Sequence, residues 1–318
     1  MKIVFLDANT LVPELEWPPF EFSNDYVSYS NTQPSQVTER IADAQIVISN
    51  KVPISAKDIT AATRLRHIAI PATGYNHIDI QACTNAGVSV SNVRDYAKEA
   101  VSEHCLALLF ALGRSVVPYH LSVGRGRWQE VGLFSYFDYP IMQIQGATLG
   151  IIGAGTLGRA FAERAEALGM RVLYAEHQGA AQVRHGYTRF EEVLATADVL
   201  SLHCPLNEST AHLLNADTFA LMAKKPLIIN SSRGGLIDPD ALVAAIDTGQ
   251  IRGAAIDVVE EEPPAFDHPY MSLMDRPNFI MTPHVAWASK PAMRQLEQQV
   301  IKNIHAFVQG QPLNLIES

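Results

Sequence analysis

Cysteine is scarce in this chain. Cys83, Cys105 and Cys204 are three among 318 residues, an odd number without CxxC spacing, which argues against a disulfide framework and a zinc site. Runs of Lys or Arg are missing, and 24 basic residues against 33 acidic ones leave a net charge of −9, so the footprint of a nucleic-acid binder is absent. Long apolar runs are missing as well. The longest, CLALLFAL at 105–112, falls far below the ~20 residues needed to span a bilayer. The start, MKIVFLDANT, is too short in apolar residues before Asp7 for a secretory signal. What remains is an acidic cytoplasmic protein with reduced thiols, no metal, and no nucleic-acid or membrane partner.

Against these absences stands a clear rhythm. KIVFL, AQIVIS, RHIAI and VSVSNV alternate with helical segments such as SAKDITAATRL, a β-α-β pattern that predicts an α/β fold with a parallel sheet. From Lys98 to Arg114 the apolar positions Val101, Cys105, Leu108, Leu109 and Leu112 predict a long buried helix, a candidate spine between two domains. A second β-α series begins at ATLGIIG and continues through MRVLYAE, DVLSLHCP, PLIINSS, RGAAIDV and FIMTPH. Six such strands make a complete dinucleotide-binding sheet. KPAMRQLEQQVIKNIHAFVQG reads as an amphipathic helix that packs back on the first domain. The expected fold class is therefore α/β, two doubly wound, Rossmann-like parallel-sheet domains, the first discontinuous: residues 1–98 plus 289–318, and 99–288 with the six-strand dinucleotide-binding sheet.

Gly153-Ala154-Gly155-Thr156-Leu157-Gly158 has the form GxGxxG. It follows the strand TLGII and opens a helical run, which is the context that gives the glycines their chemistry. The first permits a tight turn, the second lets the backbone approach a pyrophosphate, and the third lets helix and strand pack closely. The helix N-terminus then supplies amide donors to the phosphates. Glu176 ends the next strand, eighteen residues beyond Gly158, near the offset of the acid that bonds the ribose 2′-hydroxyl of NAD. A 2′-phosphate would meet that carboxylate as a like charge, so NADP is disfavoured.

Three polar clusters fall at strand ends: NSSRGGLID at 230–238, DVVEEEPP at 257–264 and TPHVAW at 282–287. Arg233 could clamp a carboxylate with its planar guanidinium, or it could form a surface ion pair. His284 could exchange a proton with a carbonyl or hydroxyl oxygen, although a histidine among apolar neighbours is more often packed structure. Glu262 could hold the other ring nitrogen, although a row of three glutamates is usually a solvated face.

These segments, with GAGTLG, HCPLNEST and, in the first half, IAIPATGYNHIDI, resemble in the same order the signatures of the D-isomer-specific 2-hydroxyacid dehydrogenases. The similarity covers nearly the whole chain and is greatest to the glycerate dehydrogenase and hydroxypyruvate reductase branch. It implies NAD(H)-dependent reduction of a short 2-oxo acid, such as hydroxypyruvate or glyoxylate, to the D-2-hydroxy acid. Arg233 would bind the substrate, His284 would be the acid/base and Glu262 its partner. Asp257 would contact the nicotinamide carboxamide, while Thr156, Leu157, Cys204, Pro205, Ser231 and Ser232 would line the dinucleotide. Backbone at Thr73 and Gly74 would hold the substrate carboxylate from the other domain, and the chain would form a homodimer. Glu176 departs from the more usual Asp, NSSRG from the usual small-residue pair, and Ala147 from a frequent Lys. Phosphoglycerate or D-lactate oxidation is the alternative within the family, with Lys51, Arg64, Arg66 and Arg94 as candidate phosphate ligands. An NAD(H)-sensing corepressor-like protein is the alternative outside catalysis. Trp287 is expected to shape the pocket for a short side chain.

Overall fold

The computed structural model describes residues 1–11 and 20–317, which divide into two compact units. One runs from Met1 to Ala97 and resumes at Ser289; the other runs from Lys98 to Ala288.

In the first unit, β1 (Lys2–Phe5), β2 (Asp25–Ser28), β3 (Ile46–Ile48), β4 (His67–Ala69) and β5 (Ser89–Ser91) form one parallel sheet in the order β2-β1-β3-β4-β5. The central strands are apolar and buried on both faces, as parallel strands covered by helices must be. The edge strand β2 was not foreseen. Its sequence DYVS is mostly exposed, so no apolar run announces it. The helix Lys290–Val308 packs against β4 as expected; Ser289 caps it by accepting from the Ala292 amide, and Pro291 stands in its first turn. Its buried Asn303 donates to the Asn92 carbonyl at 2.9 Å, tying the chain's last helix to the strand end of β5.

The second unit holds all six foreseen strands: β6 (Thr148–Ile152), β7 (Arg171–Ala175), β8 (Val199–Leu202), β9 (Leu227–Asn230), β10 (Gly253–Ile256) and β11 (Phe279–Met281). They run parallel in the order β11-β10-β9-β8-β6-β7. Because β7 lies on one side of β6 and β8 on the other, the connections leave the sheet in opposite directions beside β6. That reversal opens the crevice where such sheets take ligands. The helix Lys98–Gly113 buries Val101, Cys105, Leu108, Leu109 and Leu112 as its periodicity predicts. Within this unit it packs against the helix Thr156–Ala167 and strands β9 and β10. Among the described residues no single helix is long and apolar enough to cross a membrane.

Candidate active site

The loop after β6 is built for close approach. A Cβ on Gly153 would stand 2.4 Å from the Cys204 amide nitrogen, and φ is +99°, where an L side chain is strained. A Cβ on Gly158 would stand 2.2 Å from the Gly153 carbonyl oxygen, so this glycine lets the helix Thr156–Ala167 press on its own strand. Gly155 differs: its missing side chain would point into open space, and it caps the helix without any side-chain acceptor. Open space over uncapped amides at a helix N-terminus is what a pyrophosphate requires, so the residues present fit a dinucleotide. Thr156 and Leu157 form the first turn of that helix.

Four further loops follow β8, β9, β10 and β11, and hydrogen bonds join them. Ser232 donates its hydroxyl to the Cys204 carbonyl at 2.8 Å, linking the second loop to the first, while Pro205 lies exposed beside it. Ser231 lies 3.2 Å from the Cys105 thiol. Burial pushes the thiol of Cys105 up to about 12 and that of Cys204 up to about 11, so neither is a thiolate nucleophile near neutral pH. Arg233 has its backbone held by Asn230, whose amide group donates to the Arg233 carbonyl at 2.9 Å. Its Nη1 donates to the Ser232 carbonyl at 2.6 Å, leaving the rest of the fork of donors for a ligand. Gly234 explains its position: any Cβ there would overlap the backbone of Val259 and Glu260, so the glycine brings the arginine loop onto the acidic one.

The three glutamates have separate fates. Glu260 meets His212 Nε2 at 2.7 Å, Glu261 is exposed, and Glu262 meets His284 Nδ1 at 2.6 Å. Glu262 Oε1 also accepts the Val259 amide at 3.2 Å, which fixes the carboxylate against its own loop. With Nδ1 engaged by the carboxylate, Nε2 is the second ring nitrogen able to carry or accept a proton.

His284 itself has φ +53°, a left-handed conformation uncommon outside glycine. Asp257 holds it there. The His284 amide donates to the Asp257 carbonyl at 2.8 Å, and the carboxylate of Asp257 accepts from the amides of Val285 (3.0 Å) and Ala286 (2.9 Å) and from the Thr282 hydroxyl (2.5 Å). His104 Nε2 stands 3.6 Å from the same carboxylate and 3.2 Å from the Thr282 hydroxyl. Asp257 is 1% exposed. A carboxylate so enclosed is the scaffold of the histidine turn, whereas the family resemblance makes it a contact to the nicotinamide. Trp287 completes the turn by donating its indole N–H to the His284 carbonyl at 3.0 Å.

Glu176 stands at the end of β7 as expected, but it already has partners. Arg184 grips it with Nε and Nη2 at 2.6–3.0 Å, and the amides of His177 and Arg184 each donate to it at 2.9 Å. The Arg184 side chain, followed by these amides, holds the carboxyl down to about 2. In the first unit Thr73 donates its hydroxyl to the Val93 carbonyl and accepts, through its own carbonyl, from Asn92. This fixes the Thr73-Gly74 backbone.

Residues 106–286 match the model of the D-isomer specific 2-hydroxyacid dehydrogenase, NAD binding domain. The chain belongs to that family. It is 43% identical to a glycerate dehydrogenase of Methylorubrum extorquens over 100% of this chain and 99% of the relative. A hydroxypyruvate reductase of Blautia hydrogenotrophica is 34% identical, with 99% of each chain covered. Among solved structures, D-lactate dehydrogenase from Aquifex aeolicus complexed with NAD and lactic acid superposes with a TM-score of 0.80 at 26% identity, covering 97% of this chain and 96% of that one. This dehydrogenase is thus an NAD-dependent oxidoreductase of D-2-hydroxy acids, with the two parallel-sheet domains of its family. Sequence reasoning missed His104, Arg184 and the scaffold role of Asp257. His104 lies inside a helix of ordinary apolar periodicity, and Arg184 inside a loop without pattern, so neither carried a signal.

Proposed function

We propose that this dehydrogenase reduces a short 2-oxo acid, hydroxypyruvate or glyoxylate, to the D-2-hydroxy acid, with His284 as proton donor. The observation that carries the reading is the 2.6 Å contact between His284 Nδ1 and Glu262 on a turn held by Asp257. When bound, NADH supplies the hydride. The glycine loop and the first turn of Thr156–Ala167 bind its phosphates, with Cys204, Pro205, Ser231 and Ser232 along the crevice and Glu176 at the ribose end. Arg233 orients the carboxylate of the 2-oxo acid and stabilises negative charge growing on its carbonyl oxygen. Protonated at Nε2, His284 hands its proton to that oxygen while Glu262 fixes the tautomer.

The names of the relatives support hydroxypyruvate or glyoxylate over a phosphorylated substrate. Homodimer formation in the cytoplasm belongs to the same reading. The test is NADH oxidation against hydroxypyruvate, glyoxylate, pyruvate and 3-phosphohydroxypyruvate. The first two are expected to give the highest kcat/KM; preference for the phosphorylated acid, or no turnover with any, would overturn the assignment.

A further inference from the structure

The helix Lys98–Gly113 reaches the histidine turn from outside the strand loops. His104 lies near its middle, where the backbone amides are already bonded within the helix and the side chain has a fixed origin. The next residue is anchored as well. Cys105 is fully buried and meets the Ser231 hydroxyl at 3.2 Å, and the helix packs on β9, β10 and β11. Such a helix cannot shift without disturbing three strands, so it is a rigid support for whatever its side chains touch.

His104 touches one hydroxyl and one carboxylate. Its Nε2 lies 3.2 Å from the Thr282 hydroxyl and 3.6 Å from Asp257 Oδ1; the side chain of His104 is 20% exposed and that of Asp257 0%. A threonine hydroxyl has a single hydrogen, and Thr282 gives it to Asp257 Oδ1 at 2.5 Å. Toward His104 that hydroxyl can only accept, so Nε2 carries a proton and donates. The other donors to the carboxylate are backbone amides, Val285 on Oδ1 and Ala286 on Oδ2. These are neutral, and His104 is the basic side chain in reach of the buried anion.

Thr282 joins this cluster to the histidine. Its carbonyl accepts the His284 amide at 3.0 Å, and the Asp257 carbonyl accepts the same amide at 2.8 Å. Both backbone oxygens that fix His284 at φ +53° therefore belong to residues within reach of His104 Nε2.

We propose that His104 is a positioning residue for proton transfer: by donating from Nε2 into the Thr282–Asp257 pair, it holds the turn at which His284 meets Glu262. The proposal rests on the assignment of His284 as proton donor. His104 need touch no reacting atom, because it acts through two other side chains. Without its donor the Thr282 hydroxyl is free to rotate off Asp257, and the left-handed turn loses part of what over-determines it.

Steady-state kinetics on the full chain, with NADH and hydroxypyruvate or glyoxylate in light and in heavy water, tests this. His104→Leu removes the donor, whereas His104→Gln places an amide N–H near the position of Nε2. His104→Leu is expected to lower kcat by about tenfold or more with KM changed less than about threefold, and to raise the solvent isotope effect on kcat, because transfer from a misaimed His284 becomes slower than the other steps. His104→Gln is expected to restore kcat to within about threefold of wild type. A residue that only fills space would lower the folded fraction, which scales the rate and leaves KM and the isotope effect alone. Thr282→Val breaks the same link from its other side, and it carries the test if His104→Leu folds poorly by circular dichroism. It is expected to repeat the kcat loss and the larger isotope effect, and to add little in the double variant with His104→Leu. An unchanged isotope effect in both variants, or a glutamine variant no better than the leucine one, would overturn the proposal. Full activity in His284→Gln would instead overturn the assignment of His284, and the proposal with it.

Discussion

His284 sits in a backbone conformation that an L residue adopts at some cost, and three neighbours hold it there: Asp257 through two amides, Thr282 through a carbonyl, and Trp287 through its indole. Strain of this kind persists only where the surroundings over-determine it, and it commonly marks a site of function. The imidazole is thereby aimed from its backbone as well as from its ring. Glu262→Gln keeps an oxygen at Nδ1 but removes the charge, so kcat/KM for 2-oxo acid reduction is expected to fall on the order of tenfold or more, with a smaller change in NADH binding. His284→Gln should cost on the order of 10²–10⁴ in kcat. Steady-state kinetics with parallel circular dichroism checks both. Arg233, Glu262 and His284 were legible because each stands at a strand end within a recognisable motif. The use of Asp257 was not, because the turn that encloses it lies 25–29 residues further along the chain and leaves no local trace.

At the level of strands and helices, His67 is fully buried and His203 half-buried, neither with a charged partner. His67 on β4 lies between the Ser89 and Ser91 hydroxyls and stacks on Phe307 at 4.4 Å; His203, just past β8, lies 2.9 Å from the Ser201 hydroxyl. Burial pushes each imidazole from 6.5 down to about 4. Between those values the unfolded chain binds a proton that the folded chain refuses, so stability falls as pH drops through that window. Glu176, held down to about 2 from 4.5, acts in the same direction at lower pH: its stabilising carboxylate is complete above about 4.5 and lost toward about 2. The melting temperature is therefore expected to drop between pH 7.5 and pH 4.5. His67→Gln should shrink that drop, and thermal unfolding followed by circular dichroism would show it; an equal drop in the variant would assign the slope elsewhere. The strands themselves were readable from apolar runs, all six in the second sheet, whereas the exposed edge strand β2 gave nothing to read.

For the whole molecule, the aromatic residues crowded into the stretch 128–139 suit a core or an interface equally by residue type. The structure puts it outside: Leu133 is 67% exposed, Phe134 92% and Phe137 78%, and Val116, Val117 and Leu121 on the helix Val116–Gly124 are exposed as well. Apolar surface of this extent normally marks association. Phe134→Asp together with Phe137→Asp is expected to convert a dimer into a monomer, read by light scattering after size exclusion. A wild-type protein that already runs as a monomer would remove the dimer from the account. Residue pattern could not choose between the two possibilities, because a core helix and an interface helix bury the same kind of stripe.

The loops that follow β8, β9, β10 and β11 are stitched in series, Ser232 to Cys204, Gly234 against Val259, Glu262 to His284, and Asp257 to Val285 and Ala286. A seam of that kind makes this end of the sheet one cooperative unit in local unfolding. No single member can swing away from its partners without breaking bonds in the next loop. Arg233, Glu262 and His284 are thereby kept in mutual register by the protein's own bonds.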